Sequence, residues 1–172
     1  MGREVYRDSC WAWRIAGAYE MKVFIGVDPG ANGGIAELFP DKANAFSISG
    51  CGMLYISGYF EDINDEHEGE VFALIESVHS MPGQGVVSSF NFGHNFGMLE
   101  GFLMAAGIPY DRVTPQKWQK GYGLYKMPGE SHTDKKNRHK ALAKELFPDL
   151  KITHATADAL LIAEYCRRTY GE

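Results

Sequence analysis

The chain has 172 residues, 45% of them apolar, 23% charged and 13% aromatic, with a net charge of −5. That is one ordinary globular domain, long enough to bury roughly 70% of the surface its unfolded chain exposes, and neither a disordered tail nor a collagen-like fibre. No apolar run reaches the roughly 18 residues of a membrane helix, and three scattered cysteines (Cys10, Cys51 and Cys166) without a C-x-x-C pair speak against a disulfide framework or zinc knuckle and for a reducing cytoplasm.

Residues 1–20 carry an apolar patch, Trp11 to Ala18, which Arg14 interrupts. It is too short and broken for a signal-peptide core, and Tyr6 stands where a myristoylation signal wants Ser or Thr. The expectation is that Met21 is the natural start, or that residues 1–20 are a loosely attached extension to a single domain over 21–172. Lys22 to Asp28 (KVFIGVD) is β-branched and apolar and predicts a buried strand. The Pro29–Gly34 stretch is a turn by composition. Gly34–Phe39 and Ala43–Ser49 follow as two more strands, turning at Pro40-Asp41, and complete an antiparallel meander. Residues 50–70, Gly-broken and then acidic, are ambiguous and have room for a short helix. Val71–Glu76 (VFALIE) is a further buried strand, Ser80–Ser89 a loop, Phe90–Ala106 a helix and Tyr110–Thr114 a strand. Pro115 suits the first turn of a short helix. Ser131-x-x-Asp134 resembles a capping signal for a basic helix that ends before Pro148, and Ala155–Tyr170 reads as a final amphipathic helix. A meander feeding alternating α and β units predicts an α/β fold with a mixed five-stranded sheet and flanking helices.

Three acids fall at element ends. Asp28 closes the first strand beside a Gly-rich turn, Glu76 closes the fourth beside a Gly/Pro loop, and Asp158 lies in the first turns of the last helix. If strands one and four are parallel neighbours, Asp28 and Glu76 meet at one sheet edge, where open α/β sheets place ligands. A helix start packed there would bring Asp158 to them. Converging acids repel one another unless a cation neutralises them, and hard divalent ions such as Mg²⁺ take oxygen ligands. Taken singly, each acid also reads as an ordinary strand-end or capping carboxylate.

Charge is unevenly spread. Residues 21–111 hold 12 acids and 2 bases, whereas residues 112–151 hold 10 bases and 4 acids. A chain polarised in this way can offer a basic surface to phosphate while staying acidic overall, although such charges also occur as plain solvated faces.

The runs IGVDPGANGGIA (25–36), IESVHSMPGQGVVSSFNFGHNFGMLEGFL (75–103), VTPQKWQK (113–120), SHTDKKNRHKALAKELFP (131–148) and HATADALLIAEYCRR (154–168), in this order, resemble the RuvC family of Holliday-junction resolvases, most closely its phage-type members. The resemblance implies an RNase H-like fold and a homodimer. It also implies symmetric cleavage of four-way and other branched DNA with Mg²⁺ or Mn²⁺, two ions per site, without a nucleotide cofactor or membrane. A phage protein would work in the cytoplasm of a bacterial host. By this likeness Asp28, Glu76 and Asp158 match the family's catalytic, metal-holding acids. The family's fourth ligand falls where Ala155 stands. His154, one residue earlier, begins the H-x-x-x-D spacing of phage-type members, and residues four apart share a helix face; a helix-start histidine with a satisfied ring is the plainer reading. Lys135, and Lys117 or Lys120, fall near family lysines, and with Lys136 and Arg138 they are the expected DNA contacts. His79 stands where the family carries a base-stacking aromatic, a role that Phe90 or Phe92 further on could take if they are not core residues. Gly93, Gly97 and Gly101 recur on one helix face, as close helix packing requires. An RNase H-fold nuclease for RNA–DNA hybrids or less specific branched DNA, and a silent DNA-binding module or nucleotide-binding protein, are the competing readings.

Overall fold

The computed structural model describes residues 23–77, 85–125 and 127–171. The extension expected over residues 1–20 lies outside them. Among these residues five strands and five helices follow in the order β1 (Val23–Asp28), β2 (Gly34–Leu38), β3 (Ala43–Ser47), α1 (Met53–Glu66), β4 (Val71–Glu76), α2 (Val86–Ala105), β5 (Tyr110–Val113), α3 (Pro115–Gly121), α4 (His132–Leu146) and α5 (His154–Tyr170). They form one sheet of order β3-β2-β1-β4-β5. The β1-β2-β3 meander is antiparallel, and β4 and β5 run parallel to β1. The expected mixed five-stranded sheet is therefore present.

Every residue of β1 is buried, because helices cover both faces of the central strand. Its side chains alternate between two cores. Phe24 faces a layer formed with Leu160, Leu161 and Trp118, whereas Val23, Ile25 and Val27 face Phe60, Leu99 and Leu103. The ambiguous stretch 50–70 resolves into the 14-residue helix α1, whose buried residues Ile56, Phe60 and Ile63 sit on one face at helical spacing. α2 begins at Val86, four residues before the expected start at Phe90, so Phe90 and Phe92 lie in its first turns.

The sequence signals that start the other helices are local bonds. Thr114 caps α3 through the Lys117 N–H, with Pro115 in its first turn. Ser131 caps α4 through the Asp134 N–H, and Thr153 and Thr156 form a reciprocal capping box at α5. α5 lies unusually close to the sheet. A Cβ added to Gly26 would stand 2.2 Å from the Ala159 carbonyl oxygen and 2.3 Å from the Ala163 nitrogen, and one on Gly34 would stand 2.6 Å from the Ala155 oxygen. Glycine on the strands and alanine on the helix are what let the two backbones touch.

Candidate active site

Parallel pairing sets the first half of the site. Val27 and Ile75 are register partners, so the next residues, Asp28 and Glu76, end adjacent strands side by side. The close approach of α5 supplies the second half. Asp158, one turn into that helix, lies near enough for its charge to act on both of the other acids. The sequence-predicted trio is thus brought to one end of the sheet.

Burial pushes Asp28 up from 3.8 to about 6; the Asp158 charge acts in the same direction, and the Gly30 N–H and Lys136 oppose it. Burial pushes Glu76 up from 4.5 to about 8, reinforced by Asp28 and Asp158 and opposed by the Trp118 N–H and Lys135. Each acid holds one protein donor. Asp28 Oδ1 accepts from the Gly30 N–H at 3.0 Å, and Glu76 Oε1 from Trp118 Nε1 at 2.7 Å. Asp158 Oδ1 accepts from His139 Nδ1 at 2.7 Å. Among the described residues, no group of three His, Cys, Asp or Glu stands as a ready metal-holding set. The chemistry of the acids nevertheless fits a hard divalent cation. The donors are carboxylate oxygens, and their ionised forms are destabilised by burial and by one another, a cost that a cation would remove.

The other expected residues divide. Lys135 and Lys136, half-buried on α4, border the acids, and their charges act on Glu76 and Asp28 respectively. Lys117 and Lys120 are exposed on α3. Arg138 is engaged within the chain: its guanidinium forms two 2.9 Å bonds to the Glu130 carboxylate and one to the Tyr125 carbonyl, pinning the preceding loop to α4. His154 is exposed and bonded through Nε2 to Asn137 Oδ1 at 2.9 Å; the histidine that holds Asp158 is His139. Phe90 is 72% exposed and no core residue, and Phe92 is half-buried. His79 lies outside the described residues.

Two residues of the site escaped the sequence reading, Trp118 and His139. A histidine in a lysine-rich helix reads as solvated, and its partner lies 19 residues away. For Trp118 a signal existed. A tryptophan in a short, otherwise polar helix has to bury its ring, and a buried indole N–H needs an acceptor.

An α/β sheet of order β3-β2-β1-β4-β5, with acids ending its two central parallel strands and a helix laid across them, is an RNase H-like fold. Within that class the similarity is to RuvC. Thermus thermophilus RuvC in complex with a Holliday junction substrate aligns with a TM-score of 0.58 and 16% identity over 86% of this chain and 95% of that one. A structure of Thermus thermophilus RuvC aligns with a TM-score of 0.53 and 15% identity over 86% and 96%. No protein-family model and no curated protein sequence matches the chain.

Proposed function

We propose that this chain is a divalent-cation-dependent, structure-selective DNA endonuclease that resolves four-way junctions and other branched DNA, working as a homodimer. The observation that carries the reading is the meeting of Asp28, Glu76 and Asp158 at one sheet end, bordered by Lys135 and Lys136, in a fold shared with a RuvC bound to a Holliday junction.

Asp28, Glu76 and Asp158, whose charges act on one another, would hold the cations. Mg²⁺ or Mn²⁺ bound there would neutralise the phosphodiester charge and lower the pKa of the attacking water. Lys135 and Lys136 offset the negative charge at the rim and hold the scissile phosphate by charge. Lys117 and Lys120 extend that surface, so affinity falls steeply with salt. Phe90, exposed at the start of α2, offers a ring on which an unpaired base can stack. The homodimer is supported by α2 itself. Val86, Phe90, Gly93, Gly97, Gly101 and Met104 recur at helical spacing on one side of it, and side chains added at the three glycines would meet nothing.

The test is cleavage of four-way, three-way, duplex and RNA–DNA hybrid substrates with and without Mg²⁺, comparing wild type with Asp28→Asn. The four-way junction should be cut preferentially and only with Mg²⁺, and Asp28→Asn should bind it undiminished but not cut it. Cutting by Asp28→Asn at near wild-type rate would overturn the site, and preference for the hybrid would overturn the substrate.

A further inference from the structure

Two side chains that carry neither the charge nor the oxygens of the site stand directly against it. Trp118 is fully buried and donates its indole N–H to Glu76 Oε1 at 2.7 Å. His139 is 2% exposed and places Nδ1 2.7 Å from Asp158 Oδ1, so the ring nitrogen donates and the carboxylate accepts. The two rings pack edge to face, with centroids 5.4 Å apart and planes at 71°. Glu76, Trp118, His139 and Asp158 therefore form one continuous bracket. It links the end of β4 to the first turns of α5 through α3 and α4.

The bracket uses one oxygen of each acid. Among the described residues no hydrogen-bond donor takes the second oxygen of Glu76 or Asp158. A carboxylate pinned by one oxygen has lost most of its rotational freedom, and its other oxygen is held in one direction. Outer contacts of this kind orient metal-holding carboxylates, and fixing them in advance spares part of the ordering cost on binding. The bracket also stands on the basic elements: Lys117 and Lys120 flank Trp118 on α3, and Lys135 and Lys136 precede His139 by one turn on α4.

We propose that Trp118 and His139 are positioning residues of the nuclease centre. Together they hold the Glu76 and Asp158 carboxylates in the orientation that receives divalent cations, and they tie that orientation to the two helices whose lysines meet DNA. This rests on the nuclease reading above. Neither residue touches cation or substrate; both act through the acids they hold.

The experiment titrates Mn²⁺ calorimetrically into the full chain without DNA, then measures single-turnover cleavage of a four-way junction, with circular dichroism as the check on folding. Trp118→Phe and His139→Leu keep the packing and remove one donor each. Each should weaken Mn²⁺ binding by about tenfold or more, with junction affinity in EDTA unchanged. His139→Asn, whose amide nitrogen can stand where Nδ1 stands, should recover most of the loss. His139→Gln, with its donor one bond further out, should not. Folded Trp118→Phe and His139→Leu proteins that bind Mn²⁺ like wild type would overturn the proposal, as would an Asn variant no better than Leu. If His139→Leu does not fold, Trp118→Phe and the Asn–Gln difference decide alone. Wild-type protein that takes up no Mn²⁺ would overturn the nuclease reading and the bracket with it, whereas wild type that binds and cuts beside unaffected variants would overturn the bracket only.

Discussion

The two faces of the sheet are built differently. On the α5 face, helix and strand backbones touch at Gly26, and the surrounding layer carries Trp118 and His139, each aimed at an acid. On the other face, α1 and α2 cover Ile25, Val27 and Ile75 with ordinary apolar side chains such as Phe60 and Leu99. There α2 is apolar on its outer side as well: Val86 is 85% exposed, Phe90 72% and Met104 60%. One face fixes side chains for chemistry. The other buries what it needs for a core and, among the described residues, leaves an apolar outer surface.

The largest expected effect comes from breaking the close face. Gly26→Ala puts a methyl against the α5 backbone, which cannot move aside without carrying Asp158 with it. We expect a loss of about 3 kcal/mol or more in urea unfolding, together with loss of cleavage. A variant within 1 kcal/mol of wild type would mean that β1 and α5 do not touch.

The acids give the next effect, through pH. The folded-state values of Asp28 and Glu76, about 6 and about 8, lie above their ordinary values of 3.8 and 4.5. Between these limits the unfolded chain binds fewer protons than the folded one, so stability falls as pH rises. Without divalent cations the melting temperature should therefore drop from pH 5 to pH 8.5, and Mg²⁺ should restore it at the upper end. Asp28→Asn should stabilise the cation-free protein at pH 8 by about 1–3 kcal/mol. A flat profile in wild type would show that the acids are not buried together.

The smallest effect on folding belongs to the outer side of α2. Gly97→Glu introduces a side chain that meets nothing within the chain. It should leave the monomer as stable as wild type, or about 0.5–1 kcal/mol more stable, because glycine is a poor helix former. Light scattering should nevertheless show a dimer turned into a monomer. An unchanged mass would remove α2 as the interface.

Local chemistry was legible along the chain. The β1 and β4 runs, the helix start at Pro115, the cap at Ser131, and the placing of Asp28 and Glu76 at strand ends all follow from apolar runs, spacing and turn residues that act over a few positions. Where a local signal is missing, the reading stops. α1 and α2 follow Gly52 and Gly85, which offer no capping side chain, so residues 50–70 read ambiguously and the second helix reads only from Phe90. Tertiary structure alone decided the rest. The parallel pairing of β1 with β4, the Glu76–Trp118 bond across 42 residues, the His139–Asp158 bond across 19 and the pairing of Arg138 with Glu130 depend on which surfaces pack together. A residue's own neighbours carry its preference for helix, strand or turn. They do not carry the partner that folding brings from elsewhere in the chain, and at this site those partners hold Glu76 and Asp158.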